Sequence, residues 1–279
     1  MPRSLAAVSK LARRVIGEIR PDCVYLRNYA LDYPLLVRHL VDVPIYLELN
    51  AILESEYRAR RQFLRGKIYA HLQRKTIASA AAWLPTTSQV LAFCRDASPV
   101  MKPNLLARNG VWVEDWKPTV PRTETRRNLG TPPNARVLVM AGFEKEWHGW
   151  DRAVETLQFL GRDYELWLIG STDEVLRQRV QELATANGVG DQVKILGWLD
   201  KAGLADMIFA ADVGLGALAL DRKNMVEIQA LKIGTYLALG TPAVINCPDP
   251  RISSSDATVA LVETTDPKSS RQVFGDSSR

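Results

Sequence analysis

Residues 136–170 read RVLVMAGFEKEWHGWDRAVETLQFLGRDYELWLIG, and the order of apolar residues in this stretch decides the fold class. The apolar runs at 137–140 and 165–169 predict two strands, and the spacing of apolar residues from 150 to 159 predicts a helix between them. A strand, a helix and a second strand in succession favour two parallel strands covered by the helix.

The same alternation continues on both sides of this stretch. Further strands are predicted at 22–26, 44–49, 83–86, 193–196, 213–218 and 243–246, and 102–108 is a strand or an extended segment. Further helices are predicted at 8–19, 33–41, 58–82, 173–186, 202–210 and 226–239, and Ser88 is expected to cap one more. The predicted class is therefore α/β with doubly wound parallel sheets.

One stretch interrupts this pattern. Pro118, Pro121, Pro132 and Pro133 lie there among charged and small residues, and strands and helices resume on each side. Such composition is typical of a boundary. We therefore expect an N-terminal domain over 1–117, a linker over 118–134 and a C-terminal domain over 135–279.

The composition and the apolar pattern predict neither a membrane-spanning protein, nor a secreted one, nor a cysteine-ligated metal site. The 279 residues are 47% hydrophobic and 24% charged, which suits one large core or two modest ones. The longest apolar runs are far shorter than the roughly 20 residues of a membrane span, so none is predicted. The first residues do not form the apolar stretch of a secretory signal, and the three cysteines lack metal-ligand spacing. We expect a cytoplasmic protein.

The net charge of +5 favours an anionic partner. Basic residues are concentrated between Arg58 and Lys75, where Tyr57, Phe63 and Tyr69 lie among them. One interpretation is a solvated helix face, and the other is a surface for an anionic membrane or a lipid-linked acceptor, at the inner face of the membrane. Nucleic acid is not an expected partner, since no known reader motif accompanies the charge.

Two glycine turns are candidates for binding an anion. Gly142 follows a predicted strand and Gly149 precedes a helix, with residues 143–148 as the loop between them. Backbone N–H groups and helix N-termini stabilise phosphates. Gly170 follows the next strand, where a base or ribose could approach the backbone.

Four segments, in the right order, resemble family 4 of the glycosyltransferases. They are Arg108-Asn109-Gly110-Val111 with the following Trp-Lys-Pro, the loop 142–151, the run 193–213 that ends in Ala-Ala-Asp-Val, and YLALGTPAV at 236–244. The resemblance implies a GT-B fold of two Rossmann-like domains facing a cleft. The first strand and the last helices of relatives are not visible, so both domains are expected to be incomplete.

The resemblance also implies site residues. Of two family glutamates separated by seven residues, the first matches Glu227, which is expected to orient sugar hydroxyls, and the second matches Thr235. Threonine cannot form the charge-assisted hydrogen bonds of a carboxylate with ribose. Lys232 matches a basic position that faces the diphosphate, with a solvated helix lysine as the alternative.

The basic residues of the family's first loop fall at Phe143 and His148, so Lys145 or His148 is expected to compensate. We expect a neutral His148, because the helix dipole opposes an imidazolium at a helix start. A structural, hydrogen-bonded histidine is the alternative. On the acceptor side, Tyr46–Ala51 resembles a family segment in which Asn50 is the candidate catalytic residue.

The resemblance implies a retaining hexosyltransferase that uses a nucleotide-diphosphate sugar as donor, with neither a cofactor nor a metal. The acceptor would be a glycan, a lipid-linked molecule or a small molecule. The alternative is a degenerate, non-catalytic binding or scaffold module, which Thr235 and Phe143 favour. A nicotinamide-dependent oxidoreductase is disfavoured, because no Gly-x-Gly-x-x-Gly follows a strand.

Overall fold

A computed structural model describes residues 5–27, 43–253 and 255–262 of the chain. The chain forms two compact units, Met1–Arg108 and Asn109–Arg279. Both units combine parallel strands with helices, so the predicted α/β class is confirmed. The helix predicted at 33–41 lies outside the described residues.

The first unit contains a sheet of three parallel strands in the order β1-β2-β3. The strands are β1 (Val24–Arg27), β2 (Ile45–Leu49) and β3 (Ala82–Pro85), and the helices are α1 (Leu5–Ile19), α2 (Leu53–Ala59), α3 (Phe63–Ser79) and α4 (Ser88–Ala97). Leu47 in the central strand pairs with Leu26 and Trp83 and is buried. The extended segment predicted at 102–108 continues beside β3, where the Leu105 amide donates to the Trp83 carbonyl at 3.1 Å.

Two predictions for this unit were wrong. The single helix expected over 58–82 is two helices, α2 and α3, because the chain turns at Arg61, whose φ is 57°. A non-glycine residue in this left-handed region does not continue a helix. The cap of α4 is Thr87 rather than Ser88, since the Thr87 hydroxyl accepts from the Val90 amide at 3.2 Å.

The second unit contains a sheet of six strands in the order β6-β5-β4-β7-β8-β9, and every pair is parallel. The strands are β4 (Arg136–Ala141), β5 (Tyr164–Ile169), β6 (Val193–Ile195), β7 (Val213–Leu215), β8 (Ala243–Ile245) and β9 (Val259–Leu261). The helices are α5 (Arg122–Asn128), α6 (Trp150–Leu157), α7 (Glu174–Ala186), α8 (Lys201–Ala210) and α9 (Leu231–Ala238). The sequence pattern did not reveal β9.

Alternate residues of β4 and β5 build two cores, one on each face of this sheet. Leu138 and Leu166 belong to a core with apolar residues of α6 and α7. Val139 and Trp167 belong to a second core with α8 and α9. Side chains of successive strand residues point to opposite faces, so a strand between two helical layers is apolar throughout.

The division between the units falls before the proline-rich stretch that the sequence analysis assigns to a linker. Within that stretch, α5 packs on α8. Arg126 of α5 donates to the carbonyls of Ala210 and Ala135, both at 2.9 Å, and pairs with Asp212 at 2.6 Å. Residues 118–134 are therefore part of the second unit.

The helix predicted at 226–239 begins only at Leu231. Residues 226–230 are held outside it by hydrogen bonds to distant parts of the second unit, described below. Glu227 therefore precedes the helix rather than lying on it. None of the helices in the described ranges has the length and apolar character that crossing a membrane requires.

Candidate functional site

The candidate site lies at the carboxyl ends of the strands of the second unit, the edge where open α/β sheets bind ligands. Gly142 is exposed and follows β4 with φ 65°, and its backbone amide donates to the Ile169 carbonyl at 2.7 Å. Gly170 follows β5 with φ 111°, and a Cβ added there would lie 3.3 Å from the Gly142 nitrogen. Both predicted turns therefore exist, and their backbones approach each other closely.

Gly149 ends the loop and holds it against the chain that follows β7. Its φ is 72°, and an added Cβ would lie 3.0 Å from the Leu218 Cβ and 3.1 Å from the Ala219 nitrogen. The Leu218 amide donates to the His148 carbonyl at 2.9 Å, and the Ala219 amide to the Trp147 carbonyl at 3.2 Å. The backbone around His148 is thus fixed by residues about 70 positions later in the chain.

Two bidentate ion pairs lock this contact. Arg222, in the short 3-10 helix Leu220–Lys223, binds both carboxylate oxygens of Asp151 at 3.0 and 2.6 Å. Arg152 binds both oxygens of Asp221 at 2.7 and 2.8 Å. The hydrogen bonds from Arg152 lower the pKa of Asp221, and the hydrogen bond to Asp151 raises the pKa of Arg222. Bidentate pairs fix the orientation of the two side chains as well as their distance. The loop of residues 143–148 and the chain that follows β7 are therefore held in one fixed arrangement.

His148 is neutral in this site. Burial, followed by the positive charges of Lys232, Lys223 and Lys145, lowers the pKa of the imidazole to about 2. Its Nδ1 is buried and has no hydrogen-bond partner among the described residues. Burial and neighbouring cations, rather than the helix dipole, are therefore the physical cause of its neutrality.

Three lysines act electrostatically on this imidazole. Lys232 on α9 donates to the Gly142 carbonyl at 3.0 Å, and burial lowers the pKa of its ammonium to about 7, although the side chain keeps partial contact with solvent. Lys223 is 6% exposed, and its Nζ lies 4.5 Å from the centroid of the Trp147 ring. Lys145 is exposed on the loop. The arrangement places positive charge beside the Gly142 turn, as an anion site requires.

Sequence reasoning missed Lys223. A basic residue shortly after a strand of a parallel sheet is a usable signal, because that end of the strand faces the ligand edge. Lys223 lies beside Trp147 through contacts between distant parts of the chain, which the sequence pattern does not show.

Two side chains that the sequence predicts to bind the donor are buried. Phe143 is 0% exposed and belongs to the core beneath α6 and α7, so its side chain serves packing. The Thr235 hydroxyl donates to the Leu231 carbonyl of its own helix at 3.4 Å, and the residue is buried. Neither position supplies the charge that the family places there.

Glu227 lies in a segment that is held at several points. The Asn109 backbone amide donates to the Gln229 side chain at 2.8 Å, and the Asn109 side chain donates to the Gln229 carbonyl at 3.0 Å. The Ile228 amide donates to the Pro248 carbonyl at 3.1 Å, and Arg251 donates to the Ala230 carbonyl at 3.0 Å. The Asn-Gly-Val stretch thus helps to position Glu227.

A cavity of about 530 Å³ lies beside this segment. It is lined by Leu220, Asp221, Asn224, Met225, Val226, Asn246, Cys247, Pro248 and Leu261. Burial, Asp249 and Glu227 together raise the pKa of the Cys247 thiol to about 12. The negative charge of Glu227 therefore reaches Cys247, which lines the cavity. The volume is within the range of small-molecule sites.

Asn50 belongs to the first unit, directly after β2. Its side-chain amide donates to Glu48 at 2.8 Å, and its Oδ1 is buried without a partner among the described residues. Glu48 also pairs with Arg27 at 3.3 Å and accepts a hydrogen bond from Tyr25. The orientation of the Asn50 amide is therefore set by Glu48.

No protein-family model matches the chain, and no curated protein matches its sequence. Solved structures do match. The sucrose-phosphate synthase of Thermosynechococcus elongatus is 16% identical, with a TM-score of 0.79 over 98% of this chain and 69% of that one. Anabaena HepE, solved with UDP and glucose, is 15% identical, with a TM-score of 0.75 over 99% and 73%. A glycosyltransferase of Rickettsia africae is 15% identical, with a TM-score of 0.69 over 99% and 71%.

These structures are GT-B glycosyltransferases, and the chain shares their fold. It is an α/β protein of GT-B type, built from Rossmann-like parallel-sheet units, as the resemblance to family 4 implies. The chain corresponds to about seven-tenths of the length of these three proteins.

Proposed function

We propose that this protein is a glycosyltransferase that moves a sugar from a nucleoside diphosphate sugar to an acceptor hydroxyl. The observation that carries the proposal is the group of basic residues at the loop after β4, where Lys232 donates to the Gly142 carbonyl at 3.0 Å and the Lys223 Nζ lies 4.5 Å from the centroid of the Trp147 ring. Lys232 thus contacts Gly142, the glycine turn that follows β4. The second unit would bind the donor, and the first unit would bind the acceptor.

The leaving diphosphate gains negative charge as the bond to the sugar breaks. The lysines would stabilise that charge, and their fixed positions avoid the reorganisation that water would need. An anion beside Lys232 favours its ammonium form, so binding would raise the lysine's lowered pKa. The neutral His148 would contribute a hydrogen bond rather than an ionic contact.

Glu227 would orient hydroxyls of the transferred sugar, and Asn50 would act on the acceptor side. The presence of UDP and glucose in the HepE structure supports a nucleoside diphosphate hexose as the donor class. Retention of the anomeric configuration is part of the proposal through the resemblance to family 4, in which the acceptor attacks on the face that the diphosphate leaves.

The test is incubation of the whole chain with UDP-glucose, GDP-mannose or ADP-glucose and mixed hydroxyl acceptors, with release of the nucleoside diphosphate as the readout. We expect one donor to be consumed. Glu227→Gln should lower turnover at least about tenfold, or about 1.4 kcal/mol, with little change in diphosphate binding. The control is Glu182→Gln on the exposed face of α7, which should have no effect. Consumption of none of the donors, together with no binding of any nucleoside diphosphate, would refute the proposal.

Phe143 and Thr235 favour a second candidate, a degenerate, non-catalytic binding or scaffold module. Phe143 packs in the core, and Thr235 donates a hydrogen bond within its own helix. Two contacts that the family makes with the donor are therefore missing. Selective binding of one diphosphate without consumption of any donor would select this candidate.

A further inference from the structure

The first turns of α3 carry large apolar side chains that are exposed to solvent. Phe63 is 61% exposed, Leu64 is 74% exposed and Ile68 is 51% exposed. We refer to residues 60–68 as the hairpin tip. Apolar side chains that are exposed together are typical of a binding surface.

Helices α2 and α3 pack against each other through other residues, so the exposed apolar side chains do not stabilise this contact. Gly66 and Ala70 are on the buried face of α3, and an added Cβ on Gly66 would lie 3.2 Å from the Tyr57 Cβ. The Tyr57 and Tyr69 rings stack, with centroids 4.6 Å apart and planes within 11°. The two helices are therefore joined without Phe63 or Leu64.

The outer face of α3 follows a regular helical spacing. Leu64, Lys67, Ile68, His71 and Lys75 are all exposed, and each of them lies three or four positions from another member of the set. Residues at this spacing share one face of a helix. The face therefore carries two aliphatic side chains between basic and polar ones.

Basic residues predominate in the segment that contains the tip, and acidic residues flank it at Glu54, Glu56 and Asp96. Residues 57–95 contain eight lysines and arginines but neither aspartate nor glutamate. Arg58 pairs with Glu54 at 3.1 Å, and Arg74 pairs with Asp96 at 2.7 Å. Arg61, Arg65 and Lys67 of the tip form no ion pair with any described residue, so their charge is directed to the outside.

We propose that the hairpin tip attaches the protein to the surface of an anionic lipid bilayer. Phe63 and Leu64 would enter the boundary between headgroups and acyl chains, and the tip's arginines and Lys67 would pair with lipid phosphates. Exposed aliphatic side chains with basic neighbours suit such an interface. Nucleic acid would use the same charges but would gain little from Leu64 and Ile68.

The test is co-sedimentation of the full chain with vesicles of phosphatidylcholine, with or without phosphatidylglycerol. The apolar variant is Phe63→Ser with Leu64→Ser, and the charge variant is Arg61→Gln with Arg65→Gln and Lys67→Gln. The control variant is Val175→Ser with Arg177→Gln on α7, where Val175 is 70% exposed. Each change is at an exposed position, and unchanged thermal unfolding would verify that every variant is folded.

We expect binding that requires phosphatidylglycerol and weakens with salt. The charge variant should bind on the order of 100-fold less tightly, from about fivefold per charge, and the apolar variant should also lose binding. The control should bind like the original chain. Equal binding to both kinds of vesicle, or tip variants that bind like the original chain, would overturn the proposal.

A separate arm uses a single-stranded oligonucleotide as competitor. If it displaces the chain from vesicles and only the charge variant loses binding, the tip is a general polyanion site and the lipid proposal is wrong. UDP binding, measured in parallel, should be the same in both tip variants and the original chain. Loss of membrane binding can therefore be distinguished from failure of the proposed donor site.

Discussion

Gly149→Ala should destabilise the second unit and weaken diphosphate binding together. Gly149 has φ 72°, a region that costs an L-residue about 1 kcal/mol. The added Cβ would also lie 3.0 Å from the Leu218 Cβ and 3.1 Å from the Ala219 Cβ. Overpacking of this kind costs about 1–3 kcal/mol. The sum predicts a loss of about 2–4 kcal/mol in the free energy of unfolding.

Gly188→Ala is the matched control. Gly188 has a similar φ of 66°, but an added Cβ there would have no atom within 4 Å. Gly188→Ala therefore introduces the same backbone strain as Gly149→Ala but no steric clash. We expect it to lower the free energy of unfolding by about 1 kcal/mol. It follows helix α7, away from the loop of residues 142–149.

The assay is urea unfolding of the whole chain followed by tryptophan fluorescence, with calorimetric titration of UDP on each variant. Gly149→Ala should lower UDP affinity, since relief of the clash moves the backbone that holds His148. Gly188→Ala should bind UDP like the original chain. Equal loss of stability in the two variants, or an unaltered affinity in Gly149→Ala, would refute the reasoning about this loop.

Three further predictions concern the same unit. Because the lowered pKa of Lys232 is about 7, its ammonium is lost above that pH, so UDP affinity measured by calorimetry should fall from about pH 7 to about pH 9. Lys232→Met should bind more weakly and show a flatter profile, and a parallel fall in both proteins would contradict the assignment. Tyr236→Phe should lower the free energy of unfolding by about 1–3 kcal/mol, because the hydroxyl accepts from the Ala141 amide at 2.9 Å and donates to the Leu215 carbonyl at 3.1 Å. An unchanged melting temperature would exclude that role. Arg222→Gln and Asp151→Asn, combined in a double-mutant cycle of urea unfolding, should show a coupling of about 1 kcal/mol, and additive effects would show that the pair does not stabilise the loop.

The sequence predicted those parts of the fold that depend on local pattern. The strands β4 and β5 and the helix between them were found because their apolar residues have the spacing of buried elements. The start of α9 was wrong for a different reason. Gln229 is bound by Asn109, 120 residues earlier, and this distant contact holds residues 226–230 outside the helix.

The site was predictable to a smaller extent. Gly142 and Gly170 are recognisable as turns after strands, since glycine is the residue that adopts positive φ readily. Lys223 was not recognisable, because its position beside Trp147 depends on the pair between Arg222 and Asp151, which are 71 residues apart. The burial of Phe143 likewise depends on packing beneath two helices.

The most direct test of the donor site is calorimetric titration of the full chain with UDP, GDP, ADP and the corresponding nucleosides. We expect one diphosphate to bind at least about tenfold more tightly than its nucleoside, a difference of about 1.4 kcal/mol. Lys223→Met combined with Lys232→Met should remove most of that difference. Equal binding of diphosphate and nucleoside, binding of neither, or an unchanged preference in the double variant would contradict the assignment of these lysines to a diphosphate site.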